Sequence, residues 1–225
     1  WTGGPIAGVS YSPYGAAEDP IEGDIPSLTA INRDLALLAD RVNAVRTYSV
    51  DGVSGDIPLM AFARDLDVMP GAWIGSDAER NREETDALIH IARRNSNVRR
   101  ILVGNESLLR REISPAALIE EIKRVRESVT KPVSTAETWD IWLANPELAN
   151  GVDFLGVQIH AYWEGIPVDA AMPSTQSRRD PRMATIPGTP IRTHGVGTAS
   201  PGSRTWDRRA VCLAPSAGLA QTLHY

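Results

Sequence analysis

The feature that most constrains this chain is a rhythm in which a short apolar run is followed by an amphipathic stretch, recurring about every 30 residues. The first run, "IAGVSYSPY" at 6–14, precedes Leu28, Ile31, Leu35, Leu38 and Val42, whose steps of three and four predict a helix face, with Ser27 as its cap. "AVRTYSV" (44–50) predicts a second strand and "IPLMAFARDLD" a short helix. "VMPGAWIG" (68–75) predicts a third strand, and "RNREETDALIHIARRN" (80–95) a helix with a charged outer face. "VRRILVGNE" (98–106) is the fourth strand, after which Ser114 and Pro115 open a helix carrying Leu118, Ile122, Val125 and Val129 on one side. "PVSTAE" (132–137) and "VDFLGVQIHAYW" (152–163) are strands five and six, with a short helix near "WLANPELAN" between them and Trp142 on its core-facing side. Continuous apolar runs of this kind suit a parallel sheet with helices on its outside. The expected fold is therefore α/β, a (β/α)8 TIM barrel, which typically takes about 250 residues. The competing doubly wound sheet needs a Gly-rich phosphate turn after strand one, and "GVSYSPYG" is not one.

Composition narrows the class of partner. The 225 residues are 42% hydrophobic and 23% charged, with a net charge of -5 and no dense Lys/Arg run. The counterion-release attraction that drives nucleic-acid binding thus has no footprint, and no nucleic acid is expected. No apolar stretch approaches the roughly 20 residues needed to cross a bilayer. The amino end, "WTGGPIAGVS", lacks Met and a signal-like pattern, and reads as a fragment or a processed form. Cys212, the single cysteine, makes no disulfide, metal or redox pair, and the reading calls for no cofactor and no metal.

After Glu164 the chain changes character. From there to the end it has no Glu and no Lys, yet seven Arg and seven Pro, and no helical period survives. The expected organisation is a barrel core over 1–172, complete through strand six, and a degenerate or out-of-frame barrel end over 173–225.

In parallel barrels the active site lies at the carboxyl ends of the strands. Those ends supply Tyr11 and Tyr14, Arg46 and Tyr48, Trp73, Asn105 and Glu106, Glu137 and Trp139, then His160, Tyr162, Trp163 and Glu164. Carboxylates flanking a pocket, with rings on which sugar faces stack, are what glycoside cleavage requires. Glu106 is the candidate acid, while pairing with Arg46 or capping the next helix is the ordinary fate of such a residue. Asn105 beside it can hold a substrate hydroxyl. Tyr11, Tyr48, Glu137, Trp139, His160, Tyr162, Trp163 and Glu164 are the candidate substrate-binding residues. His160 has no metal-spaced partner and reads as a pocket or core histidine. Ser10 lacks the Gly-x-Ser-x-Gly elbow of a serine hydrolase.

The segments "GVSYSPY", "VRTYSVDG", "GAWIG", "VGNESLLR", "TAETWDIWL" and "VDFLGVQIHAYWEG", in this order, resemble the bacterial branch of glycoside hydrolase family 17, over roughly residues 6–170. That family contains β-1,3-glucanases and β-1,3-glucan glucosyltransferases on a (β/α)8 barrel. The resemblance implies a β-glucan polysaccharide or oligosaccharide as substrate and a retaining mechanism with Glu106 as general acid/base and Asn105 on the sugar. It further implies that Tyr48 faces the reacting sugar, that Glu137 binds hydroxyls near it, and that Tyr162 and Trp163 line glucose subsites. Several bacterial relatives carry this barrel joined to a membrane glycosyltransferase, which implies a periplasmic, extracellular or membrane-associated setting.

The family's nucleophile is a second Glu in a pattern of the type Thr-Glu-x-Gly-Trp-Pro-Ser. The nearest match is "GTPIRTHGVGTASPG" at 188–202, where Gly195 stands in place of that Glu. Three readings remain open. A shifted reading frame or damaged end fits the abrupt loss of Lys, Glu and period, and is the one we favour. Glu137 or Glu164 standing in as nucleophile is the second, and a barrel that binds glucan without cutting it is the third.

Overall fold

The computed structural model describes residues 7–15, 18–20, 22–160, 165–167, 170 and 211–213. Within these residues the chain alternates strand and helix as the apolar rhythm requires. Strand β1 (Val9–Ser10) leads to helix α1 (Leu28–Ala39), β2 (Ala44–Arg46), a 3-10 turn (Gly52–Asp56) and α2 (Ile57–Phe62). Next come β3 (Asp67–Met69), β4 (Gly71–Ala72), α3 (Ala78–Arg94), β5 (Ile101–Asn105), α4 (Pro115–Ser128) and β6 (Val133–Thr138). Helices α5 (Trp139–Ala144) and α6 (Leu148–Gly151) precede β7 (Gly156–Gln158), and β8 (Val211–Leu213) closes the described order. Every strand pairing among the described residues is parallel, in the order β1-β2-β3 and β4-β5-β6-β7-β8. This is the arrangement of a TIM-type β/α barrel, with sequential strands side by side and crossover helices between them.

The helix starts follow capping chemistry. Ser27 accepts from the Ala30 amide and Ser114 from the Ala117 amide, each satisfying an N–H left free by the first turn, and Pro115 sits where a missing N–H is harmless. Asp77 caps α3 through the Glu79 and Arg80 amides, so that helix starts two residues before the periodic stretch that predicts it. Leu28, expected on the buried face of α1, lies on its first turn and is exposed. Val42 is buried but stands beyond the helix end.

The expected third strand is divided by Pro70. Met69 and the residues before it pair with β2, whereas Gly71 and Ala72 pair with β5. A proline cannot donate to a ladder, so Pro70 contributes only its carbonyl, which accepts from the Leu102 amide at 3.0 Å. The core divides along the same line. Ile31, Leu35, Val45, Ile57, Leu66 and Val68 form one cluster, and a larger one gathers residues of β5, α4, β6, α5 and β7. Val211–Leu213, to which no element is assigned from sequence, adds a parallel strand alongside Gly156–Gln158, in the register Gly156 to Val211. Among the described residues, no helix is long and apolar enough to cross a membrane.

Trp142 lies in the larger cluster, fully buried, with its indole N–H donating to the Gly156 carbonyl at 3.1 Å. Trp142→Ala removes this packing and leaves that carbonyl short of a donor. It is expected to lower unfolding free energy by about 3–5 kcal/mol, read from urea denaturation.

Candidate active site

The carboxyl end of β5 is where the backbone departs furthest from strand geometry. Gly104 has φ +89° and Glu106 φ +54°, and the pairing with β6 shifts register between Leu102 and Asn105. A Cβ at position 104 would stand 2.9 Å from Ser107 Oγ and 3.2 Å from Thr135 Oγ1, so only glycine fits there. Glu106 adopts the left-handed conformation without that exemption. It is held by its amide, which donates to Ala136 O at 2.7 Å, and by its carbonyl, which accepts from Arg110 N at 2.8 Å. The motif "VGNE" therefore encodes a turn of the backbone as well as an acid.

Asn105 is buried, and its amide oxygen is used twice. Arg46 Nη2 donates to Oδ1 at 2.5 Å, and Gln158 Nε2 donates to the same atom at 2.7 Å. With the oxygen so engaged, the Nδ2 hydrogens are the part of the amide left to meet a ligand. Arg46 is itself buried from β2, with its guanidinium 4.1 Å from the centre of the Tyr48 ring. Burial lowers its pKa, while Tyr48 and Glu106 draw it back up.

Glu106 is held at its carboxyl as well. His160 Nε2 lies 3.1 Å from Glu106 Oε1 and 3.2 Å from Gln158 Oε1. Both neighbours are acceptors when Glu106 is ionised, so the Nε2–H tautomer is the one that fits. Arg46, Asn105, Glu106, Gln158 and His160 thus form one continuous polar network across β2, β5 and the end of β7.

Glu137 follows on β6. It is fully buried, and its Oε1 accepts from the Leu108 amide at 3.1 Å, directly under the loop that leaves Glu106. Desolvation raises its pKa to about 7, opposed by the Leu108 and Leu109 amides and reinforced by the charge of Glu106. Oε1 thus helps to hold that loop, while Oε2 is buried with no hydrogen-bond partner among the described residues. Tyr11 and Trp139 both pack against a core cluster. Tyr11 lies in the smaller core cluster, its hydroxyl donating to Asp34 at 3.2 Å, and burial raises its pKa. Trp139 opens α5 and is partly buried against the larger core cluster. Tyr162, Trp163, Glu164 and Gly195 lie outside the described residues.

Two contributors are absent from the residues that sequence alone singles out. Gln158 carries a signal, an amide inside the apolar run "VDFLGVQIHAYW" and two residues before His160, hence on the same face of the strand. Arg110 carries none, being one of two adjacent arginines after a strand. Its guanidinium donates to the Asn105 carbonyl, to Ile74 O at 3.0 Å and to Glu112 Oε2 at 2.7 Å. A concavity of about 1090 Å³ lies at the other end of the strands, lined by Arg99, Arg100, Lys131, Pro132 and Asp153. Its lining precedes the strands and holds paired charges such as Arg126 with Asp153, which suits stability rather than chemistry. Among the described residues, no group of three His, Cys, Asp or Glu side chains is placed to hold a metal.

The sequence profile of the BtgE/BtgC glycoside hydrolase domain matches residues 8–212. A probable glucan endo-1,3-beta-glucosidase btgC of Aspergillus clavatus is 31% identical over 180 residues, covering 73% of this chain and 26% of that protein. The probable glucan endo-1,3-beta-glucosidase btgC of Aspergillus fumigatus is 29% identical over 230 residues, covering 94% of this chain and 33% of that protein. This chain thus spans about a quarter to a third of the length of these relatives. An active-site mutant of Rhizomucor miehei beta-1,3-glucanosyltransferase in complex with laminaritriose superposes with a TM-score of 0.71 at 26% identity, over 83% of this chain and 69% of that one. These relatives are fungal, so they give no support to the bacterial branch to which the motifs are likened.

Gly104→Ala meets both a left-handed φ and the Ser107 hydroxyl, and is expected to cost about 1–3 kcal/mol in urea denaturation. The folded protein also holds the Glu137 proton more tightly than the unfolded chain does. The resulting stability is fully present below about pH 4.5 and is lost as pH rises through about 7. At about 1.4 kcal/mol per pH unit this amounts to roughly 3 kcal/mol, and Glu137→Gln should show a correspondingly flatter stability profile between about pH 5 and pH 8.

Proposed function

The chain belongs to the BtgE/BtgC glycoside hydrolase domain family, and from that premise we propose that it is the barrel of a retaining β-1,3-glucan hydrolase or transglycosylase related to glycoside hydrolase family 17. The observation that carries the reading is Glu106, turned out of the end of β5 beside an asparagine whose oxygen is locked and whose amide hydrogens are not. The names of the relatives, glucan endo-1,3-beta-glucosidase and beta-1,3-glucanosyltransferase, supply the substrate class.

In this reading Glu106, protonated, gives its proton to the glycosidic oxygen as the bond to the anomeric carbon breaks. In a complete retaining enzyme a second carboxylate bonds the anomeric carbon as that bond breaks, and the Glu106 carboxylate then takes a proton from the water or sugar hydroxyl that displaces it. The Asn105 amide donates to the 2-hydroxyl of the reacting sugar, a bond that strengthens in the transition state. His160 donates to the Glu106 carboxylate once the proton has left, and Tyr48, its ring held against Arg46, borders the reacting sugar. A retaining pair also needs a second carboxyl about 5 Å away. The burial of Glu137 argues against its standing in, and this chain has Gly195 where the family pattern has its nucleophilic Glu. The tail beyond residue 172 is read as out of frame or damaged, which leaves this chain able to bind glucan and impaired in cutting it.

The second reading, a β-glucan-binding barrel without turnover, rests on the same Gly195. Laminarin oligosaccharides offered to the unaltered chain, to Glu106→Gln and to Gly195→Glu separate the two. The unaltered chain is expected to bind them with turnover roughly 10⁴-fold or more below that of a complete enzyme. Any residual turnover is expected to disappear in Glu106→Gln and to rise when a nucleophile is restored at 195. A family-type Thr-Glu-x-Gly-Trp-Pro pattern in another frame of the coding sequence would support a frameshifted tail, whereas absence of such a pattern from all three frames supports the binding barrel. Rapid hydrolysis that survives loss of Glu106 refutes the assignment of the acid.

A further inference from the structure

Of the tryptophans among the described residues, Trp142 is fully buried and Trp139 packs on the core, but Trp73 is 37% exposed at the end of the third strand. An exposed indole is ordinarily mobile, and this one is fixed through both its ring and its backbone. The Arg110 guanidinium lies 4.1 Å from the centre of the ring, and that guanidinium is immobilised by the Asn105 and Ile74 carbonyls and by Glu112. The backbone is clamped too. Ser107 Oγ donates to Ile74 O at 2.8 Å, and the buried Glu84 carboxyl on α3 receives the Trp73 amide together with Ser49 Oγ and the Val50 amide. The ring is therefore held in place by residues of the loop that follows Glu106 and of the loop that follows Tyr48.

We propose that Trp73 is a stacking platform for a pyranose ring of the glucan, a subsite on the Glu106 side of the cleft whose orientation is set by Arg110. The proposal rests on the β-1,3-glucan reading above and adds a residue to it. The Arg110 guanidinium packs over the indole, and the apolar surface that keeps Trp73 37% exposed suits the C–H face of a sugar. Tyr48 cannot serve in the same way on the face that Arg46 covers. Rigidity matters because a ring already held in its bound orientation loses little entropy when the sugar arrives.

The test is a calorimetric titration of the Glu106→Gln chain, which cannot turn over its ligand, with laminari-oligosaccharides of increasing length. Adding Trp73→Ala is expected to weaken binding about tenfold or more for oligosaccharides long enough to reach the ring. Trp73→Tyr is expected to recover much of the loss, because it keeps an aromatic face. Thermal unfolding should be unchanged in both, since the ring is not part of the core. Binding by the parent that Trp73→Ala leaves intact at every length overturns the platform and spares the glucan reading. A parent that binds none of these sugars, while melting normally, overturns both.

Discussion

The site depends on one constraint, the reversal of backbone handedness over Gly104–Glu106. A strand that continued straight would alternate its side chains between the interior and the helices and would leave the acid in the ladder. Positive φ at 104 and 106, with the register shift against β6, lifts Glu106 out of the pairing while its own amide stays bound to Ala136. Such a conformation persists only when its surroundings over-determine it. Here the Ser107 hydroxyl, the Arg110 guanidinium and the Glu137 carboxyl each hold a different residue of the turn or of the segments beside it.

Around that turn the polar side chains form a hierarchy. Arg46 and Gln158 orient Asn105, His160 meets Glu106 directly, and Glu137 holds the Leu108 amide of the loop that follows. Burial is what separates these roles. Two carboxyls on adjacent strand ends look equivalent in sequence, yet one keeps a solvent-facing edge and the other has its proton affinity raised by enclosure.

The strand and helix order is legible because parallel strands buried on both faces must be apolar throughout, and the helices between them carry their caps in sequence, as Ser27 and Ser114 do. Glu106 and Asn105 are legible for a related reason, since they end such a run. Depth is not written there. Nothing in "VSTAETWD" says that Glu137 turns inward under Leu108 or that Trp139 begins a helix against the core, because both outcomes depend on neighbours from other strands. Pro70 is visible as a ladder breaker, but its effect, dividing one strand between two sheets, follows only from which strands lie on either side.

That division at Pro70 separates the two larger packing clusters among the described residues, which are joined by a small third cluster of Leu102, Ala136 and Phe154 under Met69 and by polar ties. Arg46 comes from the sheet of the smaller of these two and Asn105 from that of the larger, so their bond spans the boundary. Regions with separate cores open as separate cooperative units, each with its own free energy. A partial opening confined to β1, α1, β2 and α2 would withdraw Arg46 and release the amide of Asn105, while the loop carrying Glu106 kept its own supports. The Asn105 amide would then lose its orientation before Glu106 lost its place, and the lifetime of the smaller unit would set how long the two stay aligned.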